Sequence, residues 1–286
     1  MNHFLTPIFL RSFGRSGSTM MMELLASNPN IVFDKVYPFE VRFLAYFVKM
    51  AQKVEGQNDP KTWNPETLFD QNFTEFGKFP HKKSQIIDLE VFKSDFFKSS
   101  WNNFSRKVLA NQPNVTLEKP IYYAEKAPFF VPEYLNKKMF CKNLILLRDP
   151  RDEFLSIKAF NKKRGFLAFG WQQEDTDETF AVKFCNQRKS FLKFFNKVEN
   201  DKRRFKIRYE DFIEAPHENA TSMSDWLSLK LDPSFVFKGQ EEFKHHMTSN
   251  SMESTIYKWK KEMSPTLNNI FKDKIGKELS DIGYEI

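Results

Sequence analysis

The chain has 286 residues, 41% of them hydrophobic, which suits one large α/β domain with a buried core. Its 44 basic and 37 acidic side chains leave a formal charge of +7, favouring anionic partners in general. A nucleic-acid surface would gather that charge in one stripe with interleaved aromatics. Here the runs Lys162-Lys163-Arg164 and Lys202-Arg203-Arg204 are separated by acidic stretches such as Glu174 to Glu178 and read as solvated faces.

Two cysteines, Cys141 and Cys185, make no disulfide framework, and no Cys/His group has zinc-ligand spacing. The opening Met-Asn-His-Phe is not a leader pattern, and no window approaches a membrane-spanning length. A metal-free protein without a transmembrane segment, in a reducing, cytoplasmic setting, is the expectation.

In chain order, Pro7 to Leu10 is a short apolar run that breaks into small and polar residues from Ser12 to Thr19 and resumes as a helical pattern at Met20. This is strand, tight loop, helix. Gly14 and Gly17 let the backbone turn and approach a ligand, and Ser18 or Thr19 is placed to cap the helix. The amides and positive dipole of a helix start make an anion site, to which Arg15 adds a full cation. The loop departs from the nucleoside-triphosphate pattern, because Ser18 stands where that pattern has lysine and the glycines are too close together. It keeps what is needed to hold an anionic diester or mixed anhydride. A Gly/Ser turn without a ligand is the plainer alternative.

A second short strand, Ile31 to Phe33, leads to Tyr37-Pro38-Phe39-Glu40, and the spacing of Phe39, Phe43, Phe47 and Met50 predicts an amphipathic helix with Glu40 in its opening turn. Glu40 then either faces the Arg15 loop across the crevice at the strand ends or simply complements the helix dipole. Residues 56–120 are aromatic-rich and less regular, with helical spacing from Asp88 to Leu109. They read as an acceptor-side insertion or lid, or as aromatic ridges packed on the core. The 33 phenylalanines of the chain fit either reading.

Asn143 to Leu147 has the character of a buried parallel strand that delivers Arg148 at its end. Asp149-Pro150 turns the chain into a helix carrying Ser156. A guanidinium fork and a helix hydroxyl suit a second phosphate, and a surface pair of Asp152 with Arg148 or Arg151 is the alternative. Arg204 to Phe212 reads as a further strand with Tyr209 near its end, placed to meet a purine or to fill the core. The tail around Ser254, Lys258 and Trp259 is polar, then aromatic and basic.

Taken together, these stretches resemble the sulfotransferases that use 3′-phosphoadenosine 5′-phosphosulfate (PAPS). Gly14-Arg15-Ser16-Gly17-Ser18-Thr19 after a strand is similar to the family's 5′-phosphosulfate loop, and Arg148 to Asp152 with Ser156 to its 3′-phosphate motif. Arg208-Tyr209-Glu210-Asp211-Phe212 is similar to the segment near the adenine, and Lys258-Trp259 to the closing C-terminal loop, in which Ser254 also lies. The Arg-Ser-Gly loop and downstream Glu resemble the tyrosylprotein sulfotransferases and bacterial relatives more than the cytosolic steroid and phenol enzymes.

The resemblance implies a central parallel sheet flanked by helices in a P-loop-like architecture, formed as one domain over residues 1–286, with a closing loop at about 240–262. It implies sulfuryl transfer from PAPS, leaving adenosine 3′,5′-bisphosphate (PAP), to a hydroxyl of a small-molecule, lipid or glycan acceptor, or less readily to an amine. Glu40 would be the base, and Arg15 and Lys126 would assist at the leaving phosphate. Gly14 to Thr19, Arg148, Ser156, Tyr209, Ser254, Lys258 and Trp259 would hold the nucleotide, with no metal. A magnesium-dependent kinase-like enzyme and a non-catalytic nucleotide-binding protein of the same fold are the competing classes.

Overall fold

The computed structural model describes residues 5–54, 85–127, 130–238 and 251–286. Five short strands are all parallel: β1 (Thr6–Arg11), β2 (Ile31–Val32), β3 (Tyr122–Lys126), β4 (Lys142–Leu147) and β5 (Arg204–Arg208), in the order β2-β3-β1-β4-β5. Ile8 of β1 lies between Ala124 of β3 and Lys142 of β4, so β1 is central and its C-terminal loop opens in the middle of the sheet. Parallel strands need crossovers, which the helices supply on both faces.

Those helices are α1 (Ser18–Ala26), α2 (Phe43–Lys53), α3 (Leu89–Ala110), α4 (Phe130–Asn136), α5 (Pro150–Arg164), α6 (Asp177–Lys197), α7 (Tyr209–Glu214), α8 (Pro216–Leu227), α9 (Ser234–Lys238), α10 (Trp259–Glu262) and α11 (Pro265–Asp281). The period-two alternation of the strands divides the core. Ile8, Leu10, Ala124, Leu144, Leu146 and Ile207 pack with α1, α7, α8 and α9 on one face. On the other, Phe9 and Tyr123 pack with α2, α3 and α4, while Ile145 and Leu147 pack with α5, α6 and α11.

Local chemistry sets the helix ends. Asp88 caps α3 by accepting from the amides of Glu90 and Val91, at 2.9 and 3.2 Å. Lys162, Lys163 and Arg164 are the last turn of α5, and Thr176 forms a capping box with Thr179 that places Asp177 and Glu178 in the first turn of α6. These charge runs are exposed, as the sequence suggests, and each also complements a helix dipole. Of the aromatic ridge, Phe97 and Trp101 of α3 are buried against Tyr123 and α4, so this part of the supposed lid is core packing. Residues 55–84, with Trp63, Phe69, Phe73, Phe76 and Phe79, and residues 239–250 of the closing loop lie outside the described residues.

Two boundaries differ from the sequence reading. β5 ends at Arg208, and Tyr209 opens α7, because Arg208 turns back onto Asp211 with Nε–Oδ2 2.9 Å while Glu210 accepts from the amide of Asp149 at 2.9 Å. Glu40 lies outside a helix, three residues before the first residue of α2. Both cysteines are free and buried.

Candidate active site

The C-terminal ends of β1, β3, β4 and β5 meet at one edge, where an open α/β sheet forms its crevice. Gly17 is the N-cap of α1 with φ 86°, and no side chain caps the helix, so Ser18 is its first residue and neither Ser18 nor Thr19 is the cap. The first-turn amides of α1 therefore point out of the helix without side-chain acceptors at the cap, the arrangement that receives an anion. Both glycines lie under neighbouring rings: a Cβ on Gly17 would lie 2.4 Å from the buried Tyr209 ring, and one on Gly14 2.4 Å from the partly exposed Phe169 ring. Arg15 between them takes φ 68°, a left-handed conformation that a non-glycine residue holds only under constraint, and Ser16 is buried.

Several groups provide that constraint. Arg148 donates from Nη1 to the Arg15 carbonyl at 2.7 Å and from Nη2 to the Thr255 carbonyl at 2.6 Å, while its Nε is buried and has no partner among the described residues. Arg15 donates from Nε to Ser156 Oγ at 3.2 Å and lies over the Phe160 ring at 4.8 Å. The Tyr209 ring supports Arg148 at 5.0 Å, and its hydroxyl shares a 2.8 Å hydrogen bond with Thr255. Burial and the neighbouring Arg148 cation push the Arg15 pKa down to about 10. Two cations are thus packed together in low dielectric, an arrangement that an added anion would relieve.

On the β3 side, Lys126 donates from Nζ to Thr19 Oγ1 at 3.0 Å and to the Pro38 carbonyl at 2.6 Å. Burial pushes Lys126 down to about 8, opposed by Glu40 and assisted by Arg42. Glu40 is 51% exposed on its side chain and lies 3.4 Å from Arg42. The helix-start role expected of Glu40 belongs to Glu125, whose carboxylate accepts from the amides of Leu44 and Ala45 at 2.8 and 3.0 Å. Sequence reasoning missed Glu125, because nothing in a strand pattern marks a buried carboxylate.

The Asp149 region is an inner support. Asp149 caps α5 and takes a two-point ion pair from Arg151, at 3.0 and 2.7 Å, and both side chains are buried. The alternative of a surface pair of Asp152 with Arg148 or Arg151 is not what the structure shows: Arg151 pairs with Asp149 in the interior. Asp152 accepts instead from the Trp259 amide at 2.9 Å, and the Trp259 ring stacks on Arg151 at 3.4 Å. Glu210 accepts from Tyr284 at 2.8 Å. Burial raises Asp152 to about 6 and Glu210 to about 7, with Asp149 adding to both.

Of the predicted tail residues, Trp259 is locked beneath α5, and Lys258 pairs with Glu262 at 3.3 Å. Ser254 hydrogen-bonds within its own turn to Ser251 at 2.7 Å. Thr255, which carried no sequence signal beyond lying in the polar tail, is the one that reaches Arg148 and Tyr209. Among the described residues no cluster of three or more His, Cys, Asp or Glu has metal-holding geometry, and no helix is long and apolar enough to cross a membrane.

A parallel α/β sheet with a glycine-bounded loop at a helix N-terminus and an arginine from the neighbouring strand end is a P-loop-like architecture. The family model described as "Sulfotransferase family" matches residues 7–233, and the chain belongs to that family. Among solved structures, the sulfotransferase domain from the curacin biosynthetic pathway is similar at 18% identity and TM-score 0.53, covering 99% of each chain. The sulfotransferase domain of the Synechococcus PCC 7002 olefin synthase gives 15% and 0.51, covering 99% of this chain and 97% of that one. Mouse sulfotransferase SULT7A1, complexed with PAP, gives 14% and 0.51, covering 99% and 86%. These likenesses show the fold. No curated protein matches the chain.

Proposed function

We propose that this protein transfers a sulfuryl group from PAPS to an acceptor hydroxyl, or less readily to an amine, with Glu40 as the base. The observation that carries the reading is the meeting of Arg15, Ser156 and Arg148 beside the uncapped start of α1, where Arg148 Nε is buried without a partner among the described residues. The donor, when bound, supplies a sulfuryl group already activated as a mixed anhydride with the 5′-phosphate.

Gly14 to Thr19 and the α1 amides would receive the 5′ side, and Arg148 with Ser156 the 3′-phosphate. Arg15 and Lys126 stabilise negative charge as it gathers on the phosphate oxygen, in a partly buried setting where such charges count for more than in water. Among the described residues Lys126 is hydrogen-bonded to neutral oxygens and makes no direct ion pair, so its positive charge stays uncancelled there. Glu40 is exposed enough to meet an incoming acceptor and close enough to Lys126 to feel its charge. Tyr209 supports the nucleotide side, with Ser254, Lys258 and Trp259 in the segment that closes it.

The Phe169 ring sits on Gly14, and Phe166 and Leu167 beside it are exposed, so apolar surface adjoins the loop. This suits a small-molecule or lipid acceptor, or a glycan carried on an apolar aglycone.

Calorimetry of PAP without metal, beside ATP with Mg²⁺, tests the cofactor class. Tighter binding of PAP is expected; tighter Mg-ATP binding would turn the reading to a kinase. Glu40→Gln should keep PAP affinity while turnover falls about 10²–10⁴-fold, the usual worth of a general base. Full turnover in that variant removes Glu40 from the role.

A further inference from the structure

We propose that Glu125 is a positioning residue for the base: with Lys126 it clamps both ends of the segment that carries Glu40. This rests on the reading of Glu40 as proton acceptor given above.

Glu125 and Lys126 are consecutive residues at the end of β3, both buried, an expensive arrangement unless each charge has dedicated partners. Strand alternation sends them to opposite faces. Lys126 turns toward α1 and holds Thr19 Oγ1 and the Pro38 carbonyl. Glu125 turns toward α2, where Oε2 accepts from the Leu44 amide at 2.8 Å and Oε1 from the Ala45 amide at 3.0 Å. The Tyr123 hydroxyl donates to Oε2 at 3.2 Å.

Residues 38 and 44 are therefore tied to adjacent positions of one strand, and Glu40 lies on the short span between them. The span has little freedom of its own. Phe39 is buried with φ 62° and packs edge-on against Phe33 at 5.7 Å. Arg42, the N-cap residue of α2, supplies no side-chain cap. A helix capped by its own side chain is satisfied wherever it drifts; a helix capped by the sheet is fixed in place. The strand in turn is registered on β1, with Lys126 opposite Leu10 and the Ala127 amide donating to the Leu10 carbonyl at 3.2 Å, so the clamp refers Glu40 to the loop carrying Arg15.

The test combines amide hydrogen exchange with a double-mutant cycle. In Glu125→Gln one acceptor is replaced by an NH2 group. Exchange over residues 38–48 should quicken about tenfold, the loss of one helix cap, while residues 14–24 and PAP affinity hold. With PAPS as donor and 4-nitrophenol and 1-octanol as probe acceptors, turnover should fall about 10²-fold, the cost of misplacing a group by about an ångström. In the Glu40→Gln background the same substitution should have no further effect. Unchanged exchange over 38–48, or an equal fall in both backgrounds, overturns the proposal, since a merely structural residue would act whether or not the base is present.

If Glu125→Gln does not fold, Tyr123→Phe removes one donor to the same carboxylate and should move exchange and turnover in the same direction by less; no movement there also overturns it. Wild-type turnover in Glu40→Gln defeats the base reading and this proposal with it. Absence of turnover with both acceptors counts against the proposed function, and the exchange result alone then decides the clamp.

Discussion

Arg148 donates from Nη1 to the carbonyl oxygen of Arg15 at 2.7 Å, so the cation delivered by β4 holds in shape the loop that follows β1. The two motifs are one structure, and substitution of either should disturb both. Arg148→Ala removes charged hydrogen bonds to two carbonyls, each worth about 1.5–3 kcal/mol, and PAP affinity should fall by roughly 150-fold or more. Ser156→Ala removes a single charge-assisted contact to Arg15, at 3.2 Å long enough to sit at the low end of that range, about 1.5 kcal/mol, and should cost roughly 10-fold. Calorimetry with PAP ranks the two. A larger loss in Ser156→Ala would contradict this division of work.

How far the sequence shows this site depends on how each residue is held. The β1 loop is legible because Gly14 and Gly17 punctuate an apolar run, and β4 because Asn143 to Leu147 is almost wholly apolar. β3 is not, since Tyr-Tyr-Ala-Glu-Lys has no strand pattern, and its two charges are buried only because Leu44, Ala45, Pro38 and Thr19 meet them from distant parts of the chain. Tyr209 was visible as an aromatic beside a strand, but its place at the head of α7 follows from Arg208–Asp211 and Glu210–Asp149 contacts that no periodicity encodes. Glu40 was singled out by its place after a strand end and by the family resemblance, while the helix start credited to it belongs to Glu125.

The glycines of the loop should differ in sensitivity. Gly17 has φ 86° and faces the buried Tyr209 ring, which is fixed by Thr255. Gly14 has no such backbone demand, and the Phe169 ring over it lies at the surface and is able to swing away. Gly17→Ala should therefore cost about 1–3 kcal/mol from backbone strain alone, and Gly14→Ala less. Denaturant unfolding of both variants checks the order, and equal losses would mean that the ring contact at Gly14 is as rigid as that at Gly17.

Arg188 on α6 donates to Glu153 on α5 at 3.0 and 2.5 Å, both side chains being almost fully buried, and its guanidinium stacks on Phe13 at 3.7 Å and Phe184 at 4.1 Å. Removing one partner strands a buried charge, so Arg188→Met should destabilise by about 3–5 kcal/mol. The double variant Arg188→Met, Glu153→Met should recover part of that loss, because no unpaired charge remains. Urea midpoints of Arg188→Met, Glu153→Met and the double variant measure it; simple additivity would show that packing around Phe13, and not charge, dominates the site.

The pH dependence follows from the two ends of the clamp. Burial raises Glu125 from 4.5 to about 7, against the opposing pull of the Leu44 and Ala45 amides, Tyr123 and Arg42. Burial lowers Lys126 from 10.5 to about 8, with Glu40 opposing and Arg42 assisting. Between 4.5 and about 7 the folded chain binds a proton at Glu125 that the unfolded chain has released, so this group's contribution to stability is full below 4.5 and is lost as pH rises through about 7. For Lys126 the unfolded chain holds the extra proton between about 8 and 10.5, so its contribution is present above 10.5 and is lost as pH falls through about 8.

Activity should run the other way. Below about 7 a protonated Glu125 has one oxygen fewer to accept an α2 amide, and above about 8 Lys126 loses its cation. The profile of kcat/KM is therefore expected to be bell-shaped, with limbs near these values. Glu125→Gln should displace or remove the acid limb, and Lys126→Arg should carry the alkaline limb upward, since arginine keeps its charge. A profile flat from pH 6 to 9, or limbs unmoved by either substitution, would separate these two residues from the catalytic step.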